Sequence, residues 1–482
     1  MLAHARRLVD GVDLGQTPAV PSETELPLPT HARASALPGI WQPPLRRLTL
    51  GLTLVVVAGA FEALAVATIL PTTLKELGGL AEYGWTFSAF ALANVVGISL
   101  GGDSDRFGIA RAFIAGVVLF CAGLLVSGFA PAMLMVVAGR SLQGFGAGLL
   151  YTASYAAIPR AYAVDLQPRM LATLSSAWVI PGLVGPGLAG MVAEQLSWRW
   201  VFWGLMPLML MAALLALPAL RSLATVPPSA AHPGRVGWAV QLGAGAGIAL
   251  LGLGHERWQL ALPLAAVGGV IALRALRALF PPGTLRARKG QPAAVATILL
   301  LTFAFFGTEA FVPLALTNVR HAPVLTSGLT LTFAALTWTT GAWLPVRLAH
   351  VHRRKLIARG LLLLVLGFVG ILALLSPAVP TACAWMAWAV AGLGMGLAFT
   401  ATSAAILESA APGEASSASA SLQLAQVLGA ALSTGLGGVI VASKLAGDPP
   451  VRGLAAVVVI MIGACGLGLL SARGISDAPL QP

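Results

Sequence analysis

Charge is scarce in this chain. Of its 482 residues, 10% are Asp, Glu, Lys or Arg and 57% are hydrophobic, whereas soluble domains carry roughly 25% charged residues. Such a shortage excludes a water-exposed surface over most of the chain and points to an all-α integral membrane protein. Cysteine is scarce too: Cys121, Cys383 and Cys465 stand in apolar runs, with no spacing that suits a metal site or a disulfide framework. The seven histidines fall outside the apolar runs or at their ends, so neither metal ligation nor a histidine proton relay is expected. No nucleophile and base are clustered as an enzyme would need, and no cofactor is implied. Acid is short relative to base, giving a net charge of +12. The basic residues lie between apolar runs instead of forming one patch or tail, which argues against nucleic acid and for topogenic loops.

What is present is a succession of runs long enough to cross about 30 Å of hydrocarbon. Residues 1–46, with their scattered prolines and charges, read as a disordered cytoplasmic tail without a cleavable signal. Spans are expected near 47–71, 83–102, 111–129, 132–153, 168–193, 199–219, 236–253, 258–279, 291–316, 325–347, 357–376, 380–406, 416–442 and 452–472. The seventh and eighth, either side of His255-Glu256-Arg257, are the weakest, and without them the count is twelve. With fourteen spans and both termini cytoplasmic, 22 of the 29 basic residues fall on the inner side, as short cytoplasmic loops require. Moving either end of the arrangement by one helix destroys that sorting.

The chain also repeats itself. Gly144–Ile158 and Gly392–Ile406, offset by 248 residues, share nine identities in fifteen positions, the mark of two related halves around a membrane-embedded centre. The copies differ at one end, where Arg140 and Gln143 in the first stand against Trp388 and Ala391 in the second. Three ionisable residues lie deep in spans: Glu62, Arg140 and Glu309. A central charge costs about 2.5–3.5 kcal/mol on insertion scales and usually faces a cavity or a partner. A carboxyl in low dielectric is harder to ionise and can exchange a proton near neutral pH. Glu62 and Glu309 are 247 apart, close to the repeat offset, so they are expected at nearly equivalent places. Each acid could instead be a plain helix-to-helix hydrogen bond, and Arg140 a static tie.

Arg140, Gln143, Gly144, Ala147, Gly148 and Tyr151 fall on one face of the fourth span. After the second span, GGDSDRFGIAR contains Gly101, Asp105, Arg106, Gly108 and Arg111, a charged turn able to latch two helices. The fifth span holds Pro181, Gly182, Gly185, Pro186 and Gly190, in which the prolines predict a bend and the small residues a tight joint between the halves. Its counterpart is expected in Gly429, Ser433 and Gly437 of the thirteenth span, offset by 247. By position, Asn94, Gln143, Trp178, Phe305, Phe306, Trp338, Gln423 and Gln426 are candidates for a substrate cavity.

Together these motifs resemble the major facilitator superfamily, and within it the fourteen-span drug:proton antiporters. Gly101, Asp105, Arg106, Gly108 and Arg111 are similar to the signature after the second helix, although Asp103, Ile109 and Ala110 depart from it. Arg140, Gln143, Gly144 and Gly146 resemble the fourth-helix signature, whose arginine is linked to proton transfer. Gly185-Pro186 and Gly190 resemble the antiporter signature of the fifth helix, with Pro181 and Ala189 where glycines are usual. The resemblance covers roughly 45–475 and implies two pseudo-symmetric six-helix bundles, 47–220 and 291–473, with an inserted helix pair in 221–290 and a short tail at 474–482. It further implies Glu62, Arg140 and Glu309 lining a central cavity, and proton-coupled efflux of small amphipathic or hydrophobic compounds by alternating access. The alternative is a dedicated exporter of a lipid, siderophore or secreted metabolite with the same coupling. The expected partners are a small-molecule substrate, protons and the lipid bilayer of the cell membrane, with the protein a monomer.

Overall fold

The computed structural model describes residues 39–43, 45–102, 108–223, 235–255, 257–348, 351–409, 415–443 and 450–475. The N-terminal tail up to 38, together with Asp103, Asp105 and Arg106 of the charged turn, lies outside them. Among the described residues there is no strand. In hydrocarbon a backbone must satisfy its own polar groups, and these Leu-, Val- and Ala-rich runs do so as helices.

Among the described residues, fourteen long helices follow the chain: α1 Arg46–Leu77, α2 Leu80–Gly102, α3 Ile109–Gly128, α4 Met133–Ala161, α5 Val179–Gln195, α6 Arg199–Ser222, α7 Arg235–Leu253, α8 Trp258–Leu279, α9 Gln291–Glu309, α10 Val324–Arg347, α11 Arg353–Leu374, α12 Cys383–Glu408, α13 Ala415–Ala442 and α14 Val451–Ala472. Among the described residues, thirteen crossing segments are apolar and long enough to span a membrane, α7 and α8 included. The fourteenth, α10, is rich in threonine. Its Thr330, Thr337, Thr339 and Thr340 hydroxyls each donate to the carbonyl four residues back, which hides their polarity inside the helix.

Two spans are interrupted. A short helix, Gln167–Ser176, precedes α5, and the turn between them falls at Ala177-Trp178. Pro181 explains the position, because it has no N–H to give the carbonyl of Ala177. The ninth span stops at Glu309, resumes over Val312–Leu314 and ends in a π-turn, Ala315–Val319.

The first and second halves pack alike. In the first, α1 lies on α5 and α6, α4 on α2 and α3, and α3 on α6. In the second, α9 lies on α13 and α14, α12 on α10 and α11, and α11 on α14. The repeat's glycines seat these contacts: a methyl group at Gly144 or Gly148 would strike the carbonyls of Phe90 and Asn94 in α2, and one at Gly392 or Gly396 those of Ala334 and Trp338 in α10. Two joints, α2 with α13 and α5 with α10, connect the halves. The inserted pair α7–α8 rests against only the first of them, Ala246 of α7 packing with Ala91, Leu92 and Ala431, and Leu250 against Gly435.

Helix ends carrying the chain termini define one face of the protein, here the terminal face. Every hydrogen bond between the halves among the described residues lies toward the opposite face. The Tyr83 hydroxyl donates to the Ala310 carbonyl at 3.1 Å. Ser88 Oγ donates to the Ala431 carbonyl at 2.9 Å and meets Thr434 Oγ1 at 3.0 Å. The Leu325 N–H donates to Glu194 Oε1 at 3.1 Å. The halves are therefore latched on the side away from the termini.

The antiporter-like stretch does form a joint. Gly182 faces Ala335, Pro186 faces Gly328 and Gly190 faces Leu325, all in α10, while Gly185 turns to Phe61 of α1. Its expected counterpart is different. Gly429 and Gly437 face Thr302 and Phe311 within the second half, and Ser433 faces Gly307. The residues of α13 that meet α2 include Ala431, Thr434, Gly435 and Gly438, the last against Gly84. The working offset is 248, which pairs Pro186 with Thr434 and Gly190 with Gly438. A shift of one residue rotates a side chain by about 100° around a helix and turns it toward another neighbour.

Candidate functional site

Glu62 sits midway along α1 with no exposed surface, and Arg140 on α4 is 3% exposed. Arg140 Nη1 forms an ion pair with Glu62 Oε1. Removing two charges from water is costly, and such a pair persists only if its remaining groups are also satisfied. Arg140 meets that condition: Nε donates to the Thr86 carbonyl at 3.1 Å, Nη1 also donates to Gln143 Oε1 at 2.7 Å, and the guanidinium lies 4.2 Å from the centre of the Phe90 ring. Gln143 is held in turn, its Nε2 donating to Ser127 Oγ at 3.1 Å. Glu62 is less well served, since its Oε2 is buried with no hydrogen-bond donor among the described residues. The arginine is fixed from four sides and the acid from one.

The same place in the second half holds no charge. Trp388, at the position equivalent to Arg140, is fully buried and stacks on Phe305 and Phe368, with ring centres 5.2 and 6.1 Å away. Phe305 meets Phe306 and Trp338 edge-on, and Trp338 reaches Phe399 at 5.6 Å. Glu309 does not repeat Glu62. It is the last residue of α9, partly exposed, and has no ion pair or hydrogen bond among the described residues. The residue 248 after Glu62 is Ala310, whose carbonyl takes the Tyr83 bond.

Of the positions proposed for a cavity, Phe306, Trp338, Gln423 and Gln426 are half-buried and Trp178 is exposed. Asn94 is 5% exposed and donates to the Gly144 carbonyl at 3.3 Å, so its amide serves the α2–α4 contact. Phe305 and Gln143 are enclosed, committed to aromatic packing and to Arg140. Of the charged turn, Gly101 packs against Thr152, Gly108 has the left-handed φ of 86° that a glycine allows, and Arg111 is exposed. Thr86, Ser127 and Tyr83 were not evident from sequence, because hydroxyls and carbonyls are common in spans and their partners lie on other helices.

The family model of the Major Facilitator Superfamily matches residues 50–434. The chain belongs to this superfamily. Among curated relatives, a probable multidrug-efflux transporter of Mycobacterium tuberculosis is 27% identical over 444 residues, covering 85% of this chain and 91% of the relative. A multidrug resistance protein B homolog from the same organism is 26% identical, covering 87% and 81%. Among solved structures, the peptide transporter POT in complex with sulfate superposes with a TM-score of 0.66 at 16% identity, over 89% of this chain and 96% of that one. A bacterial homolog of the lysosomal transporter Spinster, described as inward-facing, gives 0.60 at 14%, over 90% and 98%. At these identities the structures establish the fold, and the superfamily makes the protein a multi-pass membrane transporter. Superfamily architecture accounts for the paired halves and the two joints. It leaves Glu62, Arg140 and the aromatic group around Trp388 to be read from this chain.

Proposed function

We propose that this transporter exports small amphipathic or hydrophobic compounds in exchange for protons, with Glu62 as the proton carrier. The buried pair of Glu62 and Arg140 carries the reading. A proton arriving on Glu62 removes the carboxylate's charge and frees the arginine of its partner, while Thr86, Gln143 and Phe90 keep the guanidinium in place. The switch then belongs to the acid alone, and Arg140 sets how readily it is made. Substrate and proton would compete for the cavity between the halves, and alternating access would follow from rocking the bundles 47–220 and 291–473 about the two joints. The terminal face is cytoplasmic in this reading. Inward movement of one charge contributes about 2.3 kcal/mol per 100 mV of membrane potential. The relatives' names, one a probable multidrug-efflux transporter and one a multidrug resistance protein homolog, support the substrate class.

Proteoliposomes test the assignment. Wild-type protein should move a lipophilic dye against its gradient when a proton gradient is imposed, and Glu62→Gln should only equilibrate the dye. Uphill export by Glu62→Gln would end the role given to this residue. A panel of unrelated compounds separates broad efflux from transport of one dedicated cargo.

A further inference from the structure

Three segments far apart in sequence meet on the terminal face of the second half. The loop from α8 to α9, the start of α11 and the end of α14 are tied by backbone and side chain. Gly290 N–H donates to the Gly474 carbonyl at 2.9 Å, and Arg354 Nε donates to the Ile475 carbonyl at 2.6 Å. Ser471 Oγ donates to the Ala293 carbonyl at 3.0 Å. These ties gather Arg286, Arg288, Lys289, Arg354, Lys355 and Arg473 around one patch. Residues 280–291 and 347–360 contain no Asp or Glu, and the acid nearest the third segment in sequence, Asp477, lies outside the described residues. Glu408, an acid that reaches this part of the second half, is already paired with the buried Arg353. None of the six has an ion pair among the described residues, and Arg286, Arg288, Lys289, Lys355 and Arg473 are exposed.

The surroundings are suited to negative charge and to a membrane surface. The N-termini of α9 and α11 both open here, adding the positive ends of two long helices. The α8–α9 loop is compact, with left-handed φ angles of 93° at Gly283, 46° at Ala287 and 91° at Gly290. Between the bases it leaves Leu285 52% exposed. An apolar side chain flanked by Arg and Lys at the end of a crossing helix matches the boundary between acyl chains and headgroups.

We propose that this patch binds the headgroup of an anionic phospholipid in the leaflet at the terminal face, its phosphate between the α8–α9 loop and the start of α11. The proposal rests on the membrane fold and not on proton coupling, so it stands or falls apart from the role of Glu62. Such a lipid would bridge the segments that anchor α9, α11 and α14, and would steady the second half while the first moves against it.

Native mass spectrometry of the full chain from micelles holding equal phosphatidylglycerol and phosphatidylcholine tests it. Wild type should retain phosphatidylglycerol preferentially. The triple variant Arg286→Gln/Arg288→Gln/Lys289→Gln should lose that preference by about fivefold for each charge removed. Arg46→Gln/Arg47→Gln, which removes two bases from the terminal face of the first half, should keep it. Thermal unfolding in phosphatidylcholine alone should be the same for wild type and the triple variant, so that a loss of lipid is not a loss of fold. An unchanged preference in the triple variant overturns the proposal, as does an equal loss in the Arg46/Arg47 variant. Displacement of the lipid by millimolar inorganic phosphate would show a free-anion site and overturn it as well.

Discussion

The two halves use one scaffold to hold opposite chemistries. In the first, the fourth helix points Arg140 at Glu62 and surrounds it with Thr86, Gln143 and Phe90. In the second, the matching helix points Trp388 into Phe305 and Phe368. The glycines that seat each helix on its neighbours are shared, so the packing does not dictate what the site contains. A repeated fold needs its glycines in both copies, whereas a charge buried in a membrane is costly enough that one copy of it suffices.

The comparison breaks most sharply at Arg140. Arg140→Ala leaves Glu62 buried without its partner, and should cost about 3–5 kcal/mol in thermal unfolding. The double variant Arg140→Ala/Glu62→Gln should recover most of that loss, and additive losses would mean that the pair is not the source. Trp388→Ala should cost a similar amount, about 3–5 kcal/mol, through the cavity it opens, yet leave dye export driven by protons. If it uncouples transport instead, the aromatic half shares in proton handling and the division between the halves fails.

Smaller effects test the joints. Gly438→Val would press a side chain onto Gly84, whose Cα lies 2.6 Å from where a Cβ at position 438 would stand. Overpacking of this kind costs about 1–3 kcal/mol, and cross-linking between α2 and α13 should report the loosened latch. Ser127→Ala takes from Gln143 the acceptor that orients its amide and should cost about 1–3 kcal/mol, with the pH profile of transport displaced while its maximum rate persists. Least of all, Thr434→Val removes one hydroxyl from Ser88 and should cost about 0.6 kcal/mol.

The fold was largely legible because its determinants are local. Apolar runs of crossing length mark the helices, Arg and Lys sort the loops, and Gly144 to Ile158 matched to Gly392 to Ile406 exposes the duplication. Glu62 and Arg140 stood out by cost, since few residues could pay for a place in hydrocarbon without a function. What stayed hidden depends on angle around a helix. Glu309 and the Gly429, Ser433, Gly437 series were matched at an offset of 247, and one residue was enough to turn them to other neighbours. Pro313 was a visible hint that the ninth span breaks after Glu309, because a proline favours the first turn of a new helix. Asn94 and Phe305 looked available by sequence position, but their partners, the Gly144 carbonyl and Trp388, come from helices that no pattern along the chain identifies.

The inserted pair removes an equality that the duplication creates. By symmetry the α2–α13 and α5–α10 joints should meet the membrane in the same way, but α7 lies along α2 and also touches α13. On the other flank Ile180, Leu183 and Trp343 are 65%, 50% and 65% exposed, with no further helix laid over them among the described residues. One seam is therefore braced by an added helix and the other is bare. The transporter is left with a sidedness in the plane of the membrane as well as across it.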